Sequence, residues 1–438
     1  MRMKVAFIGT GYVGLVTGTC MAEMGHEVIC VDIDAKKIAG LKKGILPIYE
    51  PGLDVLVKKY YKQGTLAFTT SICDAVQSSE VVFSAVGTPE HKATGAADLQ
   101  YVREVARQFG QHLNGYKVFV NKSTVPVGTG EEVRQIIATE SGREYEFDVV
   151  SNPEFLREGS AVKDFLEPDR IAIGVENERA RKVMEEVYEP LTSRGYPLFV
   201  TNIKSAEIIK YASNSFLATK ISFINDIANI CELVGADVKD VARGMGLDNR
   251  IGPKFLRAGV GYGGACFPKD VKALLTTSKD LKRPLRILEA VEAVNEDQKT
   301  IPFKVLKKHF KSLKGKTIAV WGLAFKPETD DVREAPSFVL LRSLAKAGAK
   351  IRAYDPVAIP NTKAYLGKLP VTYTKDAMLA VKGADAVVLL TEWKEFQSVD
   401  WGQVKRAMKG DFVFDGRNIL PHAEIESLGL IYKGIGTR

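Results

Sequence analysis

The stretch Lys4-Val5-Ala6-Phe7-Ile8-Gly9-Thr10-Gly11-Tyr12-Val13-Gly14 decides how the rest of the chain is read. A short apolar run ends in glycines spaced G-x-G-x-x-G, and residues 13–24 then carry a helical pattern. Gly9 permits a tight turn, Gly11 lets the backbone approach a pyrophosphate, and Gly14 lets helix and strand pack closely. The N-terminus of that helix offers unpaired N–H groups to an anion. A second apolar run, Glu27 to Val31, ends at Asp32, 23 residues after Gly9. A carboxylate there accepts hydrogen bonds from a ribose diol and repels a 2′-phosphate, so NAD is expected rather than NADP. Lys37 lies just beyond, either facing the adenosine or decorating the surface.

Outward from this βαβ opening, further short apolar runs follow at residues 81–86, 118–120 and 148–150, with helical stretches between them. Strands alternating with helices imply a parallel sheet covered on both faces. Residues 204–235 then read as one long helix, holding no proline and one terminal glycine. Helical stretches are expected at 271–279 and 287–310. From Lys316 a second α/β block begins, with strands near 317–321, Lys350–Tyr354, 386–390 and 412–414. Its loop at residues 321–326 lacks the glycine fingerprint and is expected to hold something other than a dinucleotide. The expected fold is therefore α/β: two Rossmann-like, doubly wound parallel-sheet domains (1–203 and 313–438) joined by a central helical domain (204–312). The long helix of the central domain would serve as hinge and dimer spine.

The composition bounds the rest. The chain has 438 residues, 45% hydrophobic and 26% charged, with a formal net charge of +8. That is a globular composition with a mild basic bias, and its Lys and Arg residues are dispersed among Asp and Glu. No nucleic-acid partner is expected, since such binding needs the charge gathered on one face. No run of 18 apolar residues exists to span a bilayer. The five cysteines, Cys20, Cys30, Cys73, Cys231 and Cys266, are odd in number and irregular in spacing. This favours a reducing, cytoplasmic setting and no metal site.

Three pairs stand out as candidates for chemistry, each spaced so that its members share a face if helical. They are Glu154 and Glu158, Lys210 and Asn214, and Cys266 and Asp270. Cys266 follows Gly259, Gly261, Gly263 and Gly264, where backbone can come close to a ligand. A thiolate attacks an aldehyde to give a thiohemiacetal, which can lose hydride and become a thioester open to hydrolysis. Lys210 would stabilise a developing oxyanion, and Asp270 or Glu158 would move protons or orient water.

These residues stand within the motifs GTGYVG, SAVGTP, KSTVPVGT, NPEFLREGSAVKDFLEPDRI, KYASNSFLATKISFINDIA, GYGGACFPKD, GLAFKPETDDVREAPS and FDGRN. By their order and spacing, nearly the whole chain resembles the nucleotide-sugar dehydrogenase family. The resemblance implies that Cys266 is the nucleophile, that Lys210 and Asn214 stabilise oxyanions, and that Asp270 assists the thiol and water. It implies that Thr124 positions a catalytic water near Glu158. It places NAD on Gly9, Gly11, Tyr12, Val13, Gly14, Asp32, Lys37, Thr88, Ser123, Thr124, Glu158 and Arg333. It places the nucleotide sugar on Glu154, Phe155, Leu156, Arg157, Glu158, Lys210 and Asn214. Further sugar contacts would come from Arg250, Phe255, Arg257, Gly259, Tyr262, Gly263, Lys326 and Arg417. Arg250 resembles an arginine that reaches a partner subunit's site, which implies a homodimer. The expected reaction is UDP-glucose with two NAD and water giving UDP-glucuronate, with GDP-mannose or UDP-N-acetylmannosamine as alternative substrates. Ala265 departs from the serine that many relatives carry beside the cysteine. A two-electron hydroxyacid dehydrogenase would need no Cys266, and a scaffold would need none of the reactive set.

Overall fold

The computed structural model describes residues 2–91 and 95–437. The chain divides into two compact units, Met1–Ser213 with Lys272–Leu281, and Asn214–Val271 with Lys282–Arg438.

The first unit is built on eight strands: β1 (Lys4–Ile8), β2 (Glu27–Val31), β3 (Leu66–Thr69), β4 (Val81–Ser84), β5 (Lys117–Asn121), β6 (Phe147–Ser151), β7 (Ile171–Gly174) and β8 (Leu198–Thr201). Their order in the sheet is β3-β2-β1-β4-β5-β6-β7-β8. β1, β4 and β5 are buried along almost their whole length, as strands covered on both faces must be. One core cluster, with Phe7, Val28 and Phe83, packs one face, and a second, with Ala6, Val82 and Phe119, packs the other. Between β1 and β4 the strand order reverses, so the loops leaving their C-terminal ends diverge and open a crevice. The expected parallel sheet is present with one exception: β6 and β7 pair antiparallel through Ser151 and Gly174.

The second unit carries β9 (Thr317–Trp321), β10 (Lys350–Tyr354), β11 (Val371–Tyr373), β12 (Ala386–Leu389), β13 (Phe412–Asp415) and β14 (Ile431–Lys433). All pairs are parallel, in the order β11-β10-β9-β12-β13-β14. The two doubly wound sheets are those the alternation of patterns implied.

The long helix is Ile203–Val234, as the sequence suggests. The single helix expected over residues 287–310 is instead two, Arg286–Lys299 and Ile301–Phe310. Pro302 is the reason: it has no N–H to donate, and it sits in the first turn of the later helix, where none is required.

Candidate active site

In the first unit the glycine loop does what its spacing requires. A Cβ on Gly14 would stand 1.9 Å from the Gly9 carbonyl oxygen, so only glycine fits there. A Cβ on Gly11 would meet nothing within 4 Å. Gly11 caps the helix Tyr12–Glu23 and no side chain satisfies that terminus, which leaves open space before unspent N–H groups. Val13 lies in the first turn of this helix. Asp32 accepts from the Thr10 N–H at 3.0 Å, the Thr10 hydroxyl at 2.7 Å and Lys37 Nζ at 2.7 Å. Burial alone would raise its pKa, but the bonds from Lys37, Thr10 and Asp34 hold it below the ordinary carboxylate range. It is a carboxylate at neutral pH, fit to receive a ribose diol. Lys37 is thus tied to Asp32 rather than loose on the surface.

The loops after β4 and β5 are fastened to each other. Ser123 Oγ donates to the Val86 carbonyl at 2.7 Å, and Thr88 Oγ1 donates to the Thr124 carbonyl at 3.0 Å. From the long helix, buried Glu207 accepts the Gly128 and Gly130 N–H groups at 2.7 and 2.8 Å, holding the entry to the helix Thr129–Glu140. Ser123 and Thr124 are therefore placed by three elements distant in sequence.

Glu154 and Glu158 do not share a helical face. Residues 152–157 are irregular, because Pro153 removes a donor and the Glu154 carboxylate takes the Leu156 N–H at 2.6 Å. Glu154 Oε1 lies 3.0 Å from Lys210 Nζ, both side chains almost wholly buried. Burial opposes the charge on Glu154, yet Lys210, the Leu156 N–H and Lys122 together keep its pKa below the usual value. Lys210 also lies 5.6 Å from the centroid of the Phe155 ring, with Arg170 over the same ring at 3.9 Å. Arg157 folds back onto Asp164, which it grips through its backbone N–H and Nε at 2.9 Å each. Sequence reasoning did not single out Glu50. Its buried carboxylate accepts the Gly159 and Ala161 N–H groups at 2.7 Å each and the Tyr12 hydroxyl. It fastens the glycine loop to the segment that carries Glu158.

In the second unit Cys266 immediately precedes the helix Phe267–Asp280, and its carbonyl accepts the Asp270 N–H at 2.8 Å. Asp270, 1% exposed, accepts from Asn214 Nδ2 at 2.6 Å, with Lys269 Nζ 3.6 Å from its other oxygen. Cys266 itself is partly exposed and unbridged. Gly263 and Gly264 are required by close packing against protein. A Cβ on Gly263 would stand 2.5 Å from the Glu334 carbonyl oxygen, and one on Gly264 2.7 Å from the Phe325 ring. Asn225 and Gln298 bond the Gly259 backbone, and Asn295 bonds that of Tyr262. Phe255, at φ 65°, holds a left-handed conformation unusual for a bulky residue. Arg257 is exposed.

The cations assigned to the second unit differ in their engagement. Arg417 donates to the carbonyls of Leu390 (2.8 Å) and Phe325 (3.1 Å) and pairs with Glu392. Arg333 makes a bidentate pair with Asp331, and Lys326 lies 5.4 Å from the Phe325 ring centroid. Arg250 is highly exposed and paired with Asp248. The dinucleotide fingerprint is replaced here in a telling way. Asp355, at the end of β10, accepts the Leu323 and Ala324 N–H groups at 2.7 and 3.0 Å, so the loop after β9 spends on its own carboxylate the donors a pyrophosphate would use.

A doubly wound sheet with an open glycine loop and an acidic ribose acceptor defines an NAD-binding α/β protein. Family models refine this: the chain matches the NAD binding domain of the UDP-glucose/GDP-mannose dehydrogenase family over residues 3–192, its central domain over 204–297 and its UDP binding domain over 319–422. The chain belongs to that family. It is 52% identical to a UDP-glucose 6-dehydrogenase of Bacillus subtilis (strain 168), covering 99% of this chain and 93% of the relative. The structure of a UDP-glucose dehydrogenase from Pyrobaculum islandicum matches with a TM-score of 0.93 at 37% identity, covering 100% of this chain and 98% of that one. That of a UDP-N-acetylmannosamine dehydrogenase from Pyrococcus horikoshii matches at 0.86 and 28%, covering 100% and 99%.

Proposed function

We propose that this chain oxidises UDP-glucose to UDP-glucuronate, reducing two NAD per sugar and consuming one water. The observation that carries the reading is the 52% identity to a UDP-glucose 6-dehydrogenase over 99% of the chain, joined to the reactive set that the motif resemblance assigns to Cys266, Lys210, Asn214 and Asp270. The more distant match to a UDP-N-acetylmannosamine dehydrogenase makes that sugar, with GDP-mannose, the alternative. NAD supplies the hydride acceptor for both oxidations, and the glycine loop with Asp32 would hold it.

The roles follow from the chemistry of the residues. Lys210 and Asn214 place a cation and an amide donor where an oxyanion develops. Cys266 adds to the C6 aldehyde, giving a thiohemiacetal whose carbon still bears a hydride to lose. The thioester formed by that loss is cleaved by water, which Thr124 positions and Glu154, Glu158 or Asp270 deprotonates. The thiolate then leaves with the carboxylate formed. Arg333, Lys326 and Arg417 are assigned to the anionic ligands, the last after exchanging carbonyl partners for a diphosphate.

A homodimer is part of the proposal. On the helix Ile203–Val234, Phe216 (66% exposed), Phe223 (48%) and Ile230 (55%) recur every seven residues, an apolar seam suited to a second copy of itself. Among the described residues no helix is long and apolar enough to cross a membrane. A cytoplasmic setting is proposed from five unbridged cysteines. The test is direct: the protein is mixed with NAD and UDP-glucose, GDP-mannose or UDP-N-acetylmannosamine, and NADH is counted per sugar consumed. Two NADH with UDP-glucose at the highest kcat/KM supports the reading, and a better rate with either other sugar overturns it.

A further inference from the structure

Residues 258–264, which lead to Cys266, lie outside every helix and strand and yet are buried. Irregular backbone taken away from water must find partners for its N–H and C=O groups. The helix Arg286–Lys299 supplies several of them. Its buried stripe runs Leu288, Val291, Asn295, Gln298, and it changes from apolar side chains to amides at its last two members, each 1% exposed. A buried amide is costly unless it is hydrogen-bonded, and these two are bonded to the loop. Gln298 Nε2 donates to the Gly259 carbonyl at 2.7 Å. Asn295 Oδ1 accepts the Tyr262 N–H at 2.8 Å, and its Nδ2 donates to the Tyr262 carbonyl at 3.2 Å. One side chain thus pairs both backbone groups of one residue, as a neighbouring strand would. It stands so near that a Cβ on Gly261 would lie 2.9 Å from Asn295 Oδ1. From Tyr262 the hold reaches Cys266. The Tyr262 ring meets the Phe267 ring edge to face, centroids 6.0 Å apart, and Phe267 is the residue after Cys266. On the other side of the thiol, the Gly264 N–H donates to the Arg333 carbonyl at 2.8 Å.

We propose that Asn295 is a positioning residue for Cys266: through Tyr262 it fixes the thiol-bearing segment, so that the aldehyde is captured before it leaves the enzyme. The inference rests on the oxidation of UDP-glucose proposed above. In the first oxidation C6 gives a hydride to NAD and its hydroxyl gives up a proton, which leaves the aldehyde. The S–H of Cys266 then adds across the C=O bond, sulfur to carbon and proton to oxygen. Only this adduct keeps C6 attached while the second hydride is lost. Capture is a race between addition and escape, and addition depends on where the sulfur sits. A reacting atom displaced by about 1 Å can lose roughly a hundredfold in rate. The first hydride transfer involves no sulfur, so a loosened thiol segment leaves that step running and fails at the next.

The test counts NADH per sugar consumed at initial rate, with UDP-glucose in excess and semicarbazide present to trap any aldehyde that escapes. It compares the parent enzyme, Asn295→Leu and Leu340→Ala. Leu340, fully buried on the helix Pro336–Lys346, belongs to the apolar core of the second unit, so its truncation lowers stability without touching the loop's amide bonds. The parent should give two NADH and no semicarbazone. Asn295→Leu should fall below two towards one, with the deficit recovered as the semicarbazone of the nucleotide-sugar aldehyde. Leu340→Ala should melt lower but keep two. Should Asn295→Leu not fold, Asn295→Asp keeps an acceptor for the Tyr262 N–H and loses the amide donor to its carbonyl, and a smaller deficit of the same kind is expected. A folded Asn295 variant that gives two NADH and no semicarbazone overturns the inference, as does an equal deficit in Leu340→Ala. The parent separates the two readings: a yield other than two in the parent defeats the oxidation reading, whereas two in both parent and variant defeats the role of Asn295 alone.

Discussion

Glu154 and Lys210 form a buried ion pair 3.0 Å apart that joins an irregular segment after β6 to the long helix, 56 residues away in sequence. Removing one partner leaves the other almost wholly buried without its counter-charge. Glu154→Gln should destabilise the first unit by about 3–5 kcal/mol at neutral pH, the usual cost of orphaning a buried charge.

The pH dependence of this loss has a definite sign. The pKa of Glu154 is depressed in the folded chain, so its contribution is fully present above the unfolded value of about 4.3 and is lost as pH falls through the lower folded value. Chemical denaturation of the parent and of Glu154→Gln should show a gap at pH 7 that narrows below about pH 4. A gap that stays constant across that range would mean the carboxylate's charge is not what stabilises.

How much of this was legible beforehand depended on where the constraint lay. Gly9, Gly14 and Asp32 could be read because their demands are local: a turn, a close approach and a strand end within one βαβ unit. Lys210 and Asn214 could be placed on one helix because 32 residues pass without a break. Glu50 and Glu207 could not, because each is defined by a partner brought close only by the sheet order. The partners of Glu50 lie 109 and 111 residues away. The neighbours that make Gly263 and Gly264 obligatory were not legible, since Glu334 and Phe325 approach them from later in the chain.

Cys266→Ser tests the covalent step. An alkoxide leaves an ester far more slowly than a thiolate leaves a thioester, so the oxidised sugar should stay bound through the introduced hydroxyl. Expected are an NADH yield below two per sugar and an enzyme whose intact mass rises by that of the bound sugar nucleotide. Complete conversion to the uronate with an unchanged mass would remove the cysteine from the mechanism.

The seam on the long helix predicts an assembly effect. Phe216→Asp combined with Phe223→Asp puts two charges where a second copy would bury two rings, each worth roughly 1.5–3 kcal/mol of apolar burial. Sedimentation velocity should show the parent as a dimer and the double variant as a monomer at micromolar concentration. An unaltered sedimentation coefficient would place the interface elsewhere.

Gly264 faces two demands at once: φ is +85°, and a Cβ would lie 2.7–2.9 Å from three atoms of the Phe325 ring. Gly264→Ala should therefore lower stability through backbone strain and through steric overlap, together about 2 kcal/mol or more. The two causes separate in a double variant. Phe325→Leu removes the ring edge and relieves the overlap but leaves φ as it was, so it should recover only part of the loss in the Gly264→Ala background. In thermal or denaturant unfolding, full recovery would mean that strain at this φ contributes nothing. No recovery would mean that the ring yields freely and conformation alone requires glycine two residues before Cys266.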